Sequence, residues 1–156
     1  MPVFVDSRIA NLVVGEALEG HSIGPLPSYS KIQRERKVGS HRIDFALTNH
    51  SQTYLEVKGC TMKTKSTIVF PDAPTERGRA HLRLLSQLQE KKIPTAILFL
   101  AMRSDVDSFR VNTGMDPEFS RLLLEAIKGG THVLSYSTEL VGANAVIGRK
   151  LRVLSM

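Results

Sequence analysis

Hydrophobic and polar residues alternate in two neighbouring segments of the chain, and this alternation predicts a pair of strands. In Arg42–Thr48 the apolar residues Ile43, Phe45 and Leu47 fall on every second position, and the same period of two recurs in Tyr54–Cys60. A period of two is typical of a half-buried strand with one face towards the core. Because the residues between the segments favour a turn, we expect the two strands to pair antiparallel.

The remaining chain divides into helices and strands at glycine, proline and polar turns. Helical spacing predicts a helix from Asp6 or Ser7 to about Glu19, a second from an N-cap at Asp72 to about Lys92, and a third from an Asp116–Pro117 cap to Lys128. Further strands are predicted at Pro2–Asp6, Tyr29–Lys37, Thr95–Ala101 and Val133–Tyr136, with a short terminal one around Leu151–Leu154. Polar loops are expected at Thr61–Ser66 and Arg103–Gly114.

This order of elements predicts an α/β fold with a mixed sheet and helices on both faces. Thr95–Ala101 is continuously apolar, as expected of a central strand that is covered on both sides. The first six elements match the αβββαβ core of restriction-endonuclease-like, PD-(D/E)xK nucleases, and a further helix and strand follow it. The match is an analogy at the level of the fold. A length of 156 residues suits a single domain over residues 1–156.

Composition narrows the choice of partner and compartment. The formal net charge of +6 favours a polyanion, with nucleic acid first among the candidates. The single cysteine, Cys60, excludes an internal disulfide framework and suits a reducing compartment. The longest apolar run, Ala96–Met102, is too short to span a bilayer and no signal segment opens the chain, so a cytoplasmic protein with no membrane partner is expected. An unpaired first strand at Val3–Val5 would favour a homodimer.

Two carboxylates and an amine form the candidate chemistry on the predicted strand pair. If Asp44 and Glu56 share a sheet face, Lys58 lies beside them, and hard divalent cations prefer such oxygen ligands. Mg²⁺ needs only one or two carboxylates, and a nearby lysine can reach a metal-bound phosphate or its attacking water. The Asp…Glu-x-Lys pattern is that of metal-dependent nucleases. The alternative is an exposed sheet face with a solvated Glu–Lys pair.

Other polar residues have two interpretations each. Glu16 interrupts the apolar stripe of the first helix, so it either lies wet at the rim of the core or points into the Asp44 site. Glu35 either belongs to a solvated edge strand or faces the site. His81 lies on a mostly apolar helix stripe, which more often means a hydrogen-bonded core histidine than a ligand. Phosphate contacts are expected from basic residues around the site, namely Arg42, Lys63, Lys65 and Arg77.

The chain resembles the sugar fermentation stimulation protein A family, and the likeness spans most of its length. The matching pieces are Ala10-Asn11, Glu16-Ala17, Glu35 before Gly39, Arg42-Ile43-Asp44-Phe45, Tyr54-Leu55-Glu56-Val57-Lys58, Phe70-Pro71-Asp72-Ala73, Thr75-Glu76-Arg77-Gly78 and His81-Leu82, then Phe109 and Asp116. The resemblance implies a restriction-endonuclease-like domain, DNA binding, a role in regulating sugar metabolism and an intact nuclease motif. Typical members carry an OB-like domain ahead of this region, so this chain is expected to lack that single-strand grip.

The resulting hypothesis is a Mg²⁺- or Mn²⁺-dependent nuclease that hydrolyses phosphodiester bonds in DNA, with RNA as a second possible substrate. Asp44, Glu56 and the carbonyl of Val57 would hold the metal, while Lys58 would position water or stabilise developing charge. Glu16 would hold a second metal or orient water. Asp72, Thr75, His81 and Glu35 would shape the site. The alternative is a non-catalytic DNA-binding regulator of sugar metabolism whose nuclease-like site is vestigial.

Overall fold

The computed structural model describes residues 7–156, which form three helices and ten strands. The predicted strand at Pro2–Asp6, and with it the proposed dimer edge at Val3–Val5, lies outside the described residues. Within the described part, no helix is both long and apolar enough to cross a membrane. The elements are α1 (Ser7–Glu19), β1 (Lys31–Val38), β2 (His41–Thr48), β3 (Gln52–Cys60), β4 (Lys63–Thr64), β5 (Thr67–Phe70), α2 (Glu76–Glu90), β6 (Thr95–Ala101), β7 (Ser108–Val111), α3 (Pro117–Lys128), β8 (His132–Val141), β9 (Asn144–Lys150) and β10 (Arg152–Val153).

The main sheet has six strands in the order β1-β2-β3-β6-β8-β9. Strands β1, β2 and β3 are antiparallel, β3, β6 and β8 are parallel, and β9 returns antiparallel to β8. Every residue of β6 is buried, because alternate residues pack against α1 on one face and against α2 and α3 on the other. The α/β prediction and the restriction-endonuclease-like αβββαβ order are therefore confirmed.

A second sheet, with strand order β10-β7-β5-β4, was not predicted. The expected loop at Thr61–Ser66 instead begins a hairpin of β4 and β5, and the expected loop at Arg103–Gly114 contains β7. Phe109 of β7 is fully buried and stacks on Phe99 with ring centroids 4.2 Å apart. These strands have four residues or fewer, which is too short for an alternating pattern to stand out in the sequence.

The C-terminal part also contains more strand than predicted. The strand expected at Val133–Tyr136 extends over His132–Val141 and turns at Gly142, which has a φ of +63°, into β9. Strand β9 was missed because its faces are half-buried or exposed, so no apolar period marks it. The predicted terminal strand is present as β10, which pairs parallel with β7.

The side chains of β2 change sides within its first half, and the prediction that its apolar residues share one face is wrong for Ile43. Phe45 and Leu47 pack in the core on the α1 side of the sheet, whereas Ile43 packs on the side of α2 and α3. The change of side falls around Asp44, just beyond the end of the ladder with β3, and the residue opposite it on β1, Glu35, has a φ of +51°. A strand that loses one neighbour can twist more sharply than one held on both sides.

The N-cap of helix α2 lies three residues after the predicted cap at Asp72. Thr75 is the N-cap: its backbone is extended, and its side-chain oxygen accepts a hydrogen bond of 3.0 Å from the Gly78 amide. A Cβ on Gly78 would lie 2.8 Å from Thr75 Oγ1 and 3.1 Å from the Phe119 ring. Close packing against α3 therefore requires glycine at this position. Glycine has a low helix propensity, so its place early in a helix is consistent with such a packing requirement.

The start of α2 is tied to the start of α3 through one buried carboxylate. Asp116 caps α3 by accepting from the Phe119 amide at 2.9 Å, and it also accepts from the Thr75 amide at 2.9 Å and from Arg79 Nε at 3.1 Å. Burial raises the pKa of Asp116, but these hydrogen bonds and the Arg79 charge outweigh it and hold the pKa below its usual value. The carboxylate therefore fixes the position of the N-terminal turn of α2.

We expect Asp116→Ala to lower the free energy of unfolding by about 3 kcal/mol, because it removes a helix cap and leaves Arg79 without a buried partner. A depressed folded-state pKa contributes stability above the unfolded value near 3.9 and loses it as the pH falls through the folded value. The difference between parent and variant should thus be full at pH 6 and shrink below about pH 4. Urea unfolding across this pH range measures it.

The exposed Asp107, whose carboxylate lies 3.8 Å from Arg152, provides the matched control. Asp107→Ala should change stability by less than about 1 kcal/mol, since exposed ion pairs contribute little. Equal losses in the two variants would contradict the anchoring role of Asp116.

Candidate metal centre

The candidate centre lies where β2 and β3 separate. Their ladder runs only as far as the pair Phe45 and Leu55, so the next pair, Asp44 and Glu56, lies beyond it. There the Val57 amide donates to the Asp44 side chain, with a distance of 2.8 Å to Oδ2, instead of to a strand partner. Asn11 of α1 donates to the other oxygen of Asp44 at 3.0 Å. The carboxylate is thus held by both a strand and a helix.

Asp44 and Glu56 line one cleft of about 250 Å³, together with Val57 and Lys58. Burial, and after it the negative charge of Glu56, raises the pKa of Asp44 to about 6, although the hydrogen bonds from Val57 and Asn11 oppose this. The structure therefore brings these two carboxylates together. Their mutual repulsion is an electrostatic cost that a bound cation would relieve.

Glu56, Lys58 and His81 form a buried network on the α2 side of this cleft. Lys58 Nζ lies 3.2 Å from Glu56 Oε1 and 2.9 Å from His81 Nδ1, and the same His81 nitrogen lies 3.0 Å from Glu56 Oε1. Burial raises the pKa of Glu56, but His81 and the Lys58 charge outweigh it and bring the pKa below its usual value. Glu56 is therefore held as a carboxylate although only 2% of the residue is exposed. His81 is a hydrogen-bonded core histidine that also borders the site.

The second oxygen of Glu56, Oε2, is buried and has no hydrogen-bond partner. A buried carboxylate oxygen without a partner is costly, and a hard cation is the kind of ligand that would satisfy it. Across residues 7–156, no group of three or more histidine, cysteine, aspartate or glutamate side chains is arranged to hold a metal. Two carboxylates nevertheless fit Mg²⁺ or Mn²⁺, because Mg²⁺ usually keeps several waters and uses one or two carboxylates.

Positive charge enters the cleft from the first turn of α2. Arg77 is exposed and lines the same cleft, two residues after the N-cap Thr75. The N-terminal turn of a helix also presents unpaired amides and a partial positive charge. This arrangement can bind a phosphate next to the two carboxylates.

Several predicted site residues lie elsewhere. Glu16 is exposed and lines a different groove, between α1 and Ala143–Val146, so the wet-rim interpretation describes it better than a place beside Asp44. Lys63 is paired with Asp105 at 2.8 Å. Lys65 is exposed at the turn between β4 and β5, and Asp72 is exposed ahead of α2. The structure does not bring these four side chains into the cleft.

Asp105 explains why Lys63 is held away from the centre. Arg103 forms two hydrogen bonds to the Asp105 carboxylate, and Lys63 joins it from β4. Arg103 foremost, followed by Lys63, holds the pKa of Asp105 below its usual range. Lys63 thus belongs to an ion-pair cluster beside the second sheet.

Arg42 and Glu35 lie on the β1–β2 hairpin next to the centre. Both are more than 70% exposed, and their charged atoms are 4.0 Å apart. Neither lines the cleft, although Arg42 precedes Asp44 by only two residues. The solvated-edge interpretation therefore describes Glu35 in this structure.

Sequence reasoning assigned Glu16 of α1 to the site and missed the α1 residues that line the cleft. Arg8 and Asn11 are three residues apart on one face of the helix and both line the cleft, next to Ala10. Asn11 is the direct partner of Asp44. A signal was present in the sequence, since two polar residues at helical spacing share a face, but nothing in the sequence indicated that this face meets β2.

Comparison with known proteins gives the family. The family model "Sugar fermentation stimulation protein RE domain" matches residues 8–144. A sugar fermentation stimulation protein homolog from Clostridium kluyveri is 41% identical over 93% of this chain and 64% of its own length, and one from Clostridium tetani is 39% identical over 96% and 66%. This chain thus spans about two thirds of the length of these relatives.

A solved structure supports the fold independently. SfsA from Pyrococcus furiosus, determined in complex with Ca²⁺, superposes with a TM-score of 0.90 at 22% identity, over 98% of this chain and 67% of that one. At this identity the likeness concerns the fold. Together with the family match over residues 8–144, it confirms the resemblance drawn from the sequence: the chain belongs to the sugar fermentation stimulation protein family.

Proposed function

We propose that this protein is a divalent-metal-dependent nuclease that hydrolyses phosphodiester bonds in DNA, with RNA as a second substrate to be tested. The observation that carries the proposal is the pair of carboxylates, Asp44 and Glu56, in one cleft with Lys58 and with an unpartnered buried oxygen on Glu56. Such a cluster has little use in folding, because like charges in a buried place cost stability. The Pyrococcus furiosus protein was solved in complex with Ca²⁺, which is consistent with a metal centre in this fold.

Asp44 and Glu56 would hold Mg²⁺ or Mn²⁺, with the Val57 carbonyl as a third protein ligand. When bound, such an ion polarises a scissile phosphate and lowers the pKa of a coordinated water. Asn11 and the Val57 amide would keep the Asp44 carboxylate in one orientation, since each binds one of its oxygens.

The basic residues of the cleft have separate roles in this proposal. Arg77, which is exposed in the cleft, would bind a phosphate oxygen and orient the substrate. Lys58 would place its ammonium near the attacked phosphorus and stabilise the charge that develops there. His81 would hold Lys58 in place, since its Nδ1 lies 2.9 Å from the Lys58 nitrogen.

A non-catalytic DNA-binding regulator of sugar metabolism is the second candidate. Lys58 favours it, because its ammonium is already paired with Glu56 and only 13% of its side chain is exposed. Both oxygens of Asp44 likewise have donors within the protein. A site whose polar groups already pair with one another could be retained in a protein that does not catalyse a reaction. Binding of nucleic acid without cleavage would distinguish this candidate.

We expect the purified protein to cleave labelled DNA with Mg²⁺ or Mn²⁺ and not with EDTA. Asp44→Asn should abolish cleavage, since it removes a metal ligand, and Lys58→Met should reduce the rate at least about a hundredfold by removing the charge stabilisation. Single- and double-stranded DNA and RNA, assayed in parallel on denaturing gels, identify the substrate.

Glu16→Gln provides the matched control, because Glu16 is an exposed carboxylate that lies outside the cleft. It should cleave at the parent rate. Cleavage that survives Asp44→Asn would mean that the activity comes from another site or a contaminant. Tight DNA binding with no cleavage by the parent under any metal would leave the regulator as the better description.

Metal binding should also be visible without any substrate. An ion present at a hundred times its dissociation constant stabilises the folded state by about 2.7 kcal/mol, which for a chain of this size raises Tm by roughly 5–10 °C. We expect Mg²⁺, Mn²⁺ and Ca²⁺ to produce such shifts in the parent and in Glu16→Gln, and not in Asp44→Asn. Differential scanning fluorimetry measures them, and equal shifts in Asp44→Asn would argue against the assigned ligands.

A further inference from the structure

The β1–β2 hairpin continues beyond the sheet that anchors it. Its ladder runs to the pair Val38 and His41, whereas the ladder between β2 and β3 stops at Phe45 and Leu55. Within residues 7–156, residues 36–43 therefore form a two-stranded ribbon with no third strand paired to it. This ribbon begins next to Asp44.

The ribbon carries like charges directly opposite each other. Lys37 and Arg42 are register partners, both are exposed, and Arg36 adds a third positive charge. Like charges directly opposite on a strand pair are destabilising. The nearby acid Glu35 compensates only partly, since it is itself exposed and 4.0 Å from Arg42. Folding does not benefit from this arrangement, whereas binding to a polyanion would.

The ribbon is held firmly on its inner side. Ile43 is 1% exposed and Val38 packs against the same core cluster, which contains residues of α2 and α3. The ring of His41 meets the ring of His81 edge-on, with centroids 6.1 Å apart. The basic ribbon is therefore a fixed neighbour of the Glu56–Lys58–His81 network.

We propose that this ribbon enters the major groove of duplex DNA, with Lys37 and Arg42 contacting backbone phosphates and so placing the duplex at the Asp44 cleft. The inference rests on the proposed action on nucleic acid and specifies duplex DNA as the form of nucleic acid that the protein binds. The major groove of B-form DNA is about 12 Å wide and accepts a two-stranded β-ribbon. The corresponding groove of duplex RNA is deep and narrow, so the ribbon selects DNA over RNA duplexes.

The test compares two double variants that lose the same charge. Lys37→Gln/Arg42→Gln removes the opposed pair on the ribbon. Lys91→Gln/Lys92→Gln removes two exposed lysines at the other end of α2, a helix of fifteen residues that is about 20 Å long. Dissociation constants are measured by fluorescence anisotropy for a DNA duplex, an RNA duplex and a DNA single strand of the same sequence, with Ca²⁺ present. The salt concentration is varied from about 50 to about 300 mM, because the affinity that phosphate contacts contribute changes strongly over this range.

For duplex DNA, the ribbon variant is expected to bind at least about tenfold more weakly, and its plot of log K against log salt should be shallower by about 2, since each lost phosphate contact removes about 0.9. The control variant should keep the parent slope. The ribbon variant should unfold at or above the parent temperature, because a repulsive pair has been removed. Its weaker binding would then reflect the lost contacts.

Other results would overturn the inference. Equal weakening in both double variants would mean that affinity depends on net charge alone, and unchanged binding would remove the ribbon from the interface. Equal affinity for DNA and RNA duplexes, or preference for the single strand, would exclude the major groove. Absence of nucleic-acid binding in the parent would overturn this inference and the proposed function together, whereas ribbon-dependent binding without cleavage would overturn the nuclease alone.

Discussion

The separation of β2 from β3 is the constraint on which the candidate centre depends. Up to Phe45 and Leu55 the two strands satisfy each other's backbone groups, and beyond them the Asp44 carboxylate accepts the Val57 amide instead. A buried amide needs an acceptor, so Asp44 is held by the same requirement that holds a sheet together. The opening that results is a cleft between α1 and α2 that the two carboxylates line.

Helix α2 supplies the second half of the arrangement, and contacts outside the cleft fix its position. The Asp116 carboxylate ties the first turn of α2 to α3 through Thr75 and Arg79. Two residues after Thr75, Arg77 reaches the cleft, and His81 follows one turn later in the buried network with Glu56. The polar end of one helix thus serves both packing and charge placement, so a change at Asp116 would move groups in the cleft without touching them.

The sequence predicts the structure best where a strong hydrophobic pattern identifies an element. Asp44, Glu56 and Lys58, which the alternation in the sequence assigned to two neighbouring strands, line one cleft in the structure. The buried β6 was recognised from its continuous apolar run. The position of Ile43, on the opposite side of the sheet from Phe45, was not predictable, because the change of side falls where β2 loses its neighbour β3. Local alternation carries no information about where pairing ends.

Tertiary ion pairs and helix orientation account for the other differences. Lys63 lies far along the chain from the residue that binds it, since Asp105 follows β6, and its pairing depends on a contact that spacing cannot reveal. Glu16 lies on an apolar stripe of α1, yet the rotation of that helix turns it towards β9 and turns Asn11 towards Asp44. The type of element was predictable for α1, and the direction in which its side chains point was not.

The proposed action on nucleic acid brings an anionic polymer to a pair of carboxylates, which is an electrostatic conflict. Burial first, and then the negative charge of Glu56, raises the pKa of Asp44, and the two carboxylates would repel a phosphate as well. A cation between them would cancel the local repulsion, but attraction at longer range has to come from groups that the carboxylates do not neutralise. Lys58 is already paired with Glu56, so its charge is largely compensated within the network. The exposed charges of Arg77 in the cleft and of Lys37 and Arg42 on the ribbon are better placed to supply the attraction. The proposed function and the proposed ribbon contact together therefore require that mutation can separate nucleic-acid binding from cleavage.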